Sequence, residues 1–185
     1  MPVIRLLLPA SLLGLVVASC ASAPEGPAAA SPPPGDGALP VPADYRSWPV
    51  FLTGIDRPDV KQVRDIYVNA TGSKAVAGQP FPAGTVFVME LHKAAEGADG
   101  NLTRDAAGKL VKGDLIKTFV MGKGEGWGAT VTPPELRNGD WLYAAWLPDG
   151  TAAPDPVAGC RGCHLPQAGK DFVHRADEYF ATRGQ

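Results

Sequence analysis

Thr85-Val86-Phe87-Val88-Met89-Glu90-Leu91-His92 carries the strongest strand signal in the chain: it is rich in β-branched and apolar residues and is entered through the turn Phe81-Pro82-Ala83-Gly84. Successive side chains of a strand point to opposite faces. Phe87, Met89, Leu91 and Lys93 therefore share one face, and Val86, Val88, Glu90 and His92 the other.

Further strands are expected on both sides of this one. Val60 to Asn69 mixes β-branched and aromatic residues with charges and stops at Asn69-Ala70-Thr71-Gly72, a strand with its turn. The polar, Gly-rich segment from Glu96 to Asp114 reads as a long hairpin connection. Leu115 to Met121 predicts the next strand, Trp127 to Thr132 another, and Asp140 to Leu147 a last one stopped by Pro148-Asp149-Gly150. Asp44 stands where it would cap a short helix ended by Pro49, and a final helix is predicted from about Asp171 to Thr182. The expected class is α+β, a mainly antiparallel sheet with helices at both ends of the domain.

Past the last strand comes Cys160-Arg161-Gly162-Cys163-His164. This C-x-x-C-H spacing is that of covalent haem attachment: two thiols bond to porphyrin vinyl groups, and the adjoining imidazole becomes an axial iron ligand. A zinc site would need a second ligand pair, and the chain has no other C-x-x-C and no paired histidines. A redox dithiol would want a βαβ setting, whereas this motif follows a Pro/Ala/Asp-rich loop and precedes Pro166. The expectation is one haem c per chain, with Cys160 and Cys163 as tethers and His164 as iron ligand.

The start of the chain supplies a matching compartment. Arg5 followed by the apolar run Leu6 to Ala18 has the form of a secretory signal, too short to remain as a spanning helix. Val17-Ala18-Ser19-Cys20 is similar to a bacterial lipobox, so residues 1–19 read as a lipoprotein signal peptide and Cys20 as the lipidated first residue. An ordinary signal cut near Ala23, leaving a soluble periplasmic protein, is the alternative. Lipidation accounts for the odd cysteine: one thiol for lipid, two for haem, none for disulfides. Residues 20–43 are Ala, Pro, Gly and Ser with almost no charge, a composition expected to form a disordered tether. Residues 44–185 then make one domain with one core. The whole chain has net charge −2, and loss of residues 1–19 removes only Arg5, so the mature chain is weakly acidic, which argues against nucleic acid as a partner.

Several pieces in this order resemble the cytochrome P-460 and cytochrome c′-beta family: Tyr45 with Trp48-Pro49, Tyr67-Val68-Asn69, the run from Phe81 to Val86 leading to Glu90, Gly126-Trp127-Gly128, the terminal Cys160 to His164, and Asp171-Phe172-Val173. The resemblance implies a haem against one sheet face, a five-coordinate iron with His164 proximal, and a homodimer. It also implies one of two chemistries. A P-460 type carries a lysine–porphyrin link and oxidises hydroxylamine; a c′-beta type has an apolar distal pocket and binds nitric oxide or carbon monoxide.

On this basis Phe87 and Met89 are expected to cover the haem, Lys93 is the leading cross-link candidate with Lys74, Lys117 and Lys123 behind it, and Glu90 is the leading proton acceptor, with Asp155 and Asp171 as alternatives. Met89, Met121, His92 and His174 are the residues able to close the iron as a sixth ligand. Arg161 stands either on a haem propionate or in solvent. The functional expectation is a periplasmic protein, lipid-anchored with the outer membrane slightly favoured, that binds small nitrogen ligands or diatomic gases, with redox turnover through a periplasmic redox partner left open. A six-coordinate electron carrier and a non-catalytic gas-binding module are the alternatives.

Overall fold

A computed structural model describes residues 33–183. The signal peptide, Cys20 and most of the expected tether lie outside the described residues. Five antiparallel strands form one sheet in chain order: β1 (Val50–Arg57), β2 (Gln62–Val68), β3 (Val86–Ala94), β4 (Lys112–Lys123) and β5 (Trp141–Trp146). Two short helices follow, α1 (Val157–His164) and α2 (Ala176–Thr182). The α+β class with a mainly antiparallel sheet holds, although the N-terminal helix is only one 3-10 turn, Tyr45–Ser47. Asp44 does not cap that turn; its carboxylate accepts the Trp48 indole N–H at 3.1 Å.

β3 sits at the centre of the sheet. Phe87 lies between Val68 and Met121, and Met89 between Ile66 and Phe119, so one apolar face runs unbroken across β2, β3 and β4. The connection after β3 is the expected long hairpin, stiffened by the bridges Glu96–Leu102 and Arg104–Leu110.

Three stretches differ from the sequence reading. β1 has no clean alternation, because Phe51 and Leu52 are both buried and register shifts fall on either side of Leu52. Trp127–Thr130 is a 3-10 turn and not a strand. The Trp127 ring lies over Gly124, where a Cβ would come within 2.1 Å of it, and Gly128 abuts the Gly139 carbonyl. The final helix starts at Ala176, since Asp171, Phe172 and Arg175 all have left-handed backbones.

The packed domain also begins before residue 44. Gly37 donates its N–H to the Tyr143 carbonyl at 2.7 Å, Leu39 is buried against Val120 and Leu142, and the Leu39 carbonyl accepts the Trp146 indole N–H at 2.9 Å. Composition describes the Pro/Ala/Gly stretch as a tether, but Asp36 and Leu39 give its end an ion pair and a buried side chain.

Candidate haem-binding cavity

α1 crosses the apolar sheet face and leaves a cavity of about 620 Å³, within the roughly 300–1,000 Å³ usual for ligand sites. Ile66, Phe87, Met89, Phe119 and Met121 make the sheet wall, and Cys160, Cys163 and His164 the helix wall. The motif is helical, so its reactive side chains fall at i, i+3 and i+4 and share one face of α1.

Each helix residue is held from behind. His164 shares its Nδ1 with the Phe172 carbonyl at 2.7 Å. A carbonyl has no proton to give, so Nδ1 carries the hydrogen and Nε2 keeps its lone pair. Burial lowers the His164 pKa and so favours the neutral ring, which is the form a metal binds. Burial likewise raises the Cys160 thiol, whereas Cys163 is exposed at the rim.

Arg161 takes neither of its expected places. It is 2% exposed, and its guanidinium grips Asp36 through two bonds of 2.6 and 2.8 Å while also reaching Asn138 and the Leu136 and Trp141 carbonyls. It lies over the Tyr143 ring. The first variable residue of the motif thus bolts α1 to the sheet and to the N-terminal segment.

Glu90 and His92 face away from the cavity. On the opposite side of the sheet Glu90 accepts bonds from Tyr45 Oη at 2.6 Å and Arg46 Nε at 2.8 Å, and lies 3.3 Å from His92 Nε2. Burial pushes the Glu90 pKa up, but Tyr45, His92 and Arg46 more than offset it, so the carboxyl stays below its ordinary value. The cross-strand neighbour Asp65 behaves the same way, bound by Lys112, Gly54 and Thr53.

None of the four candidate lysines is among the residues lining the cavity. Lys93 and Lys74 are exposed. Lys117 is bound to Asp155, which lines the cavity edge, and Lys123 is bound to Asp171 at 2.7 Å and the Phe81 carbonyl at 2.9 Å.

His174 lines the same end of the cavity as the motif. Its Nε2 lies 3.0 Å from the Cys163 carbonyl, and its ring centroid is 4.8 Å from that of His164. It is a neighbour of His164 and does not face it across the cavity. Sequence reasoning missed Arg64, whose Nε is buried in the cavity without a hydrogen-bond partner. It also missed Tyr143, buried with an unpartnered hydroxyl beside His164. Alternation alone would have found Arg64 once Ile66 was assigned to the cavity face.

The model of the cytochrome P460 family matches residues 42–175. The chain belongs to that family. A search among curated proteins returned no match. Membership in the cytochrome P460 family makes this a haem protein of the kind that binds nitrogen ligands, with iron as its metal, and the cavity fits the group: apolar walls, a neutral imidazole with a free Nε2, and two thiols on one helix face. A c-type cytochrome P460 would use Cys160, Cys163 and His164 as its attachment residues.

Proposed function

We propose that this chain is a mono-haem c-type member of the cytochrome P460 family that binds nitric oxide or a related small nitrogen ligand at an open iron position. Cys160 and Cys163 form the thioethers and His164 the axial bond. Residues 1–20 support export and attachment to a bacterial membrane through Cys20, with the domain on the periplasmic side. A homodimer and a periplasmic redox partner complete the reading.

One observation carries it. The sheet side of the cavity is walled by Ile66, Met89 and Phe119, and the two other histidines lie elsewhere, His92 on the far face of the sheet beside Glu90 and His174 against His164 itself. When bound, haem iron supplies a redox-active position for a diatomic or hydroxylamine ligand. The chain's own contribution is to exclude water with Phe87, Met89 and Phe119, and to hold the His164 ring through Phe172.

The ferrous protein tests this directly. A high-spin spectrum that changes on adding carbon monoxide is expected. A low-spin, carbon-monoxide-insensitive spectrum would mean that a sixth ligand closes the iron and would make the protein an electron carrier.

Hydroxylamine oxidation with a lysine–porphyrin link is the second reading. It is favoured by the family match, while the placement of Glu90 behind the sheet and of the four lysines off the cavity lining favours ligand binding. Mass analysis of the haem peptide after digestion separates the two. A peptide containing Lys93, Lys74, Lys117 or Lys123 joined to haem would establish the oxidase chemistry.

A further inference from the structure

Four charged side chains besides the histidines line the cavity: Arg57, Arg64, Asp155 and Arg175. Three are neutralised within the chain. Arg57 pairs with Asp59 at 2.7 Å, Arg175 with Glu178 at 2.6 Å, and Asp155 with Lys117. Arg64 has no carboxylate partner among the described residues; its one hydrogen bond is from Nη2 to Gln62 Oε1 at 3.3 Å, and its Nε is buried with nothing to donate to. Partial burial, with the nearby Arg57 charge, lowers its pKa.

Its place in the sheet aims that charge inward. Arg64 pairs with Ile55 on one side and Leu91 on the other, and is two residues from Ile66 on the same face of β2. An uncompensated guanidinium against apolar walls is costly unless something anionic meets it. Arg161, inside the haem motif itself, is fully engaged with Asp36 and Asn138.

We propose that Arg64 is an anion-binding residue of this cavity, taking a carboxylate or a small inorganic oxyanion beside the haem. Its planar fork donates two parallel N–H groups to such a group. The anion comes from one of two sources: a carboxylate on the rim of the haem, or an oxyanion that enters the cavity as ligand or product. The proposal rests on the haem reading above.

The test uses the haem-loaded protein, R64Q and R64K, with nitrite as probe anion, imidazole as neutral probe, carbon monoxide on the ferrous form, and potentiometry across pH. If the anion enters from solution, R64Q weakens nitrite binding to the ferric protein by about tenfold or more while imidazole affinity is unchanged, and R64K recovers part of the loss. If the anion is the haem rim carboxylate, nitrite affinity is unchanged. The potential then falls by about 59 mV, the one-electron equivalent of tenfold, and its pH inflection moves upward. Nitrite affinity and potential both unmoved in R64Q would overturn the proposal. Carbon monoxide binding reports separately on the open position: its failure in the wild type sinks that reading and leaves the potentiometric arm intact.

Discussion

His164 donates its Nδ1 hydrogen to the carbonyl of Phe172 at 2.7 Å, and Phe172 is held at φ 61° directly after Asp171 at φ 51°. Two consecutive left-handed non-glycine residues cost on the order of 1–2 kcal/mol each. The Asp171 carboxylate offsets this by accepting from the Phe81 N–H at 2.8 Å and from Lys123 Nζ at 2.7 Å. The carbonyl that orients the His164 ring is thus presented by a strained turn tied to Phe81 and Lys123.

Asp171→Ala releases both bonds. We expect a loss of about 1.5–3 kcal/mol, since the acceptor is charged and well shielded, together with a changed iron–histidine vibration in the ferrous protein. Denaturant midpoints and resonance Raman spectra check the two effects. An unchanged vibration would show that Phe172 keeps its place without Asp171.

The two variable residues of the haem motif should respond in opposite ways. Arg161→Ala strips a buried cation from Asp36 and Asn138 and is expected to cost about 3–5 kcal/mol. At Gly162 an added Cβ meets nothing within 4 Å, so Gly162→Ala should stay within about 0.5 kcal/mol of the wild type. Thermal unfolding of the haem-loaded variants distinguishes them.

Acid sensitivity should come from the face of the sheet away from the cavity. Glu90 and Asp65 have folded pKa values below their ordinary 4.5 and 3.8. A depressed carboxylate contributes stability that is fully present above its ordinary value and lost as pH falls through its folded value. Between neutral pH and about 5 the stability should therefore be flat with respect to these two groups, and below about 4.5 it should fall. In Glu90→Gln that acid slope should be shallower, as read from urea midpoints between pH 3 and pH 7. An unaltered slope would remove Glu90 as a cause.

The turn before β5 depends on the absence of a side chain. A Cβ at Gly128 would lie 1.6 Å from the Gly139 carbonyl oxygen, a contact that only backbone movement relieves. Gly128→Ala is expected to cost about 3 kcal/mol, whereas Gly126→Ala meets no atom within 4 Å and is penalised only by its φ of 74°.

Lys93 is exposed at the end of β3. Lys93→Ala should leave stability within about 0.5 kcal/mol and the haem spectrum unchanged. A lost red-shifted Soret band in this variant would instead assign the porphyrin link to Lys93.

Local pattern was enough to read much of this protein. The C-x-x-C-H motif names its own cofactor because two thiols and an imidazole at that spacing have one common use. Four of the five strands were legible from β-branched runs and turn residues, and alternation along β3 put Phe87 and Met89 on one face and Glu90 and His92 on the other, as the fold does. β1 was not legible, since its bulges break the period of two.

Spacing along the chain was enough for the C-x-x-C-H motif, the antiparallel plan and the grouping of residues by strand face, all of which depend on neighbours a few positions apart. Tertiary structure alone decided which charges are already paired. Asp36 and Arg161 are 125 residues apart yet close an ion pair. Arg161 is thereby taken from the haem and Arg64 is left as the cavity's unpaired cation, because charge compensation follows distance in space and leaves no trace in spacing along the chain.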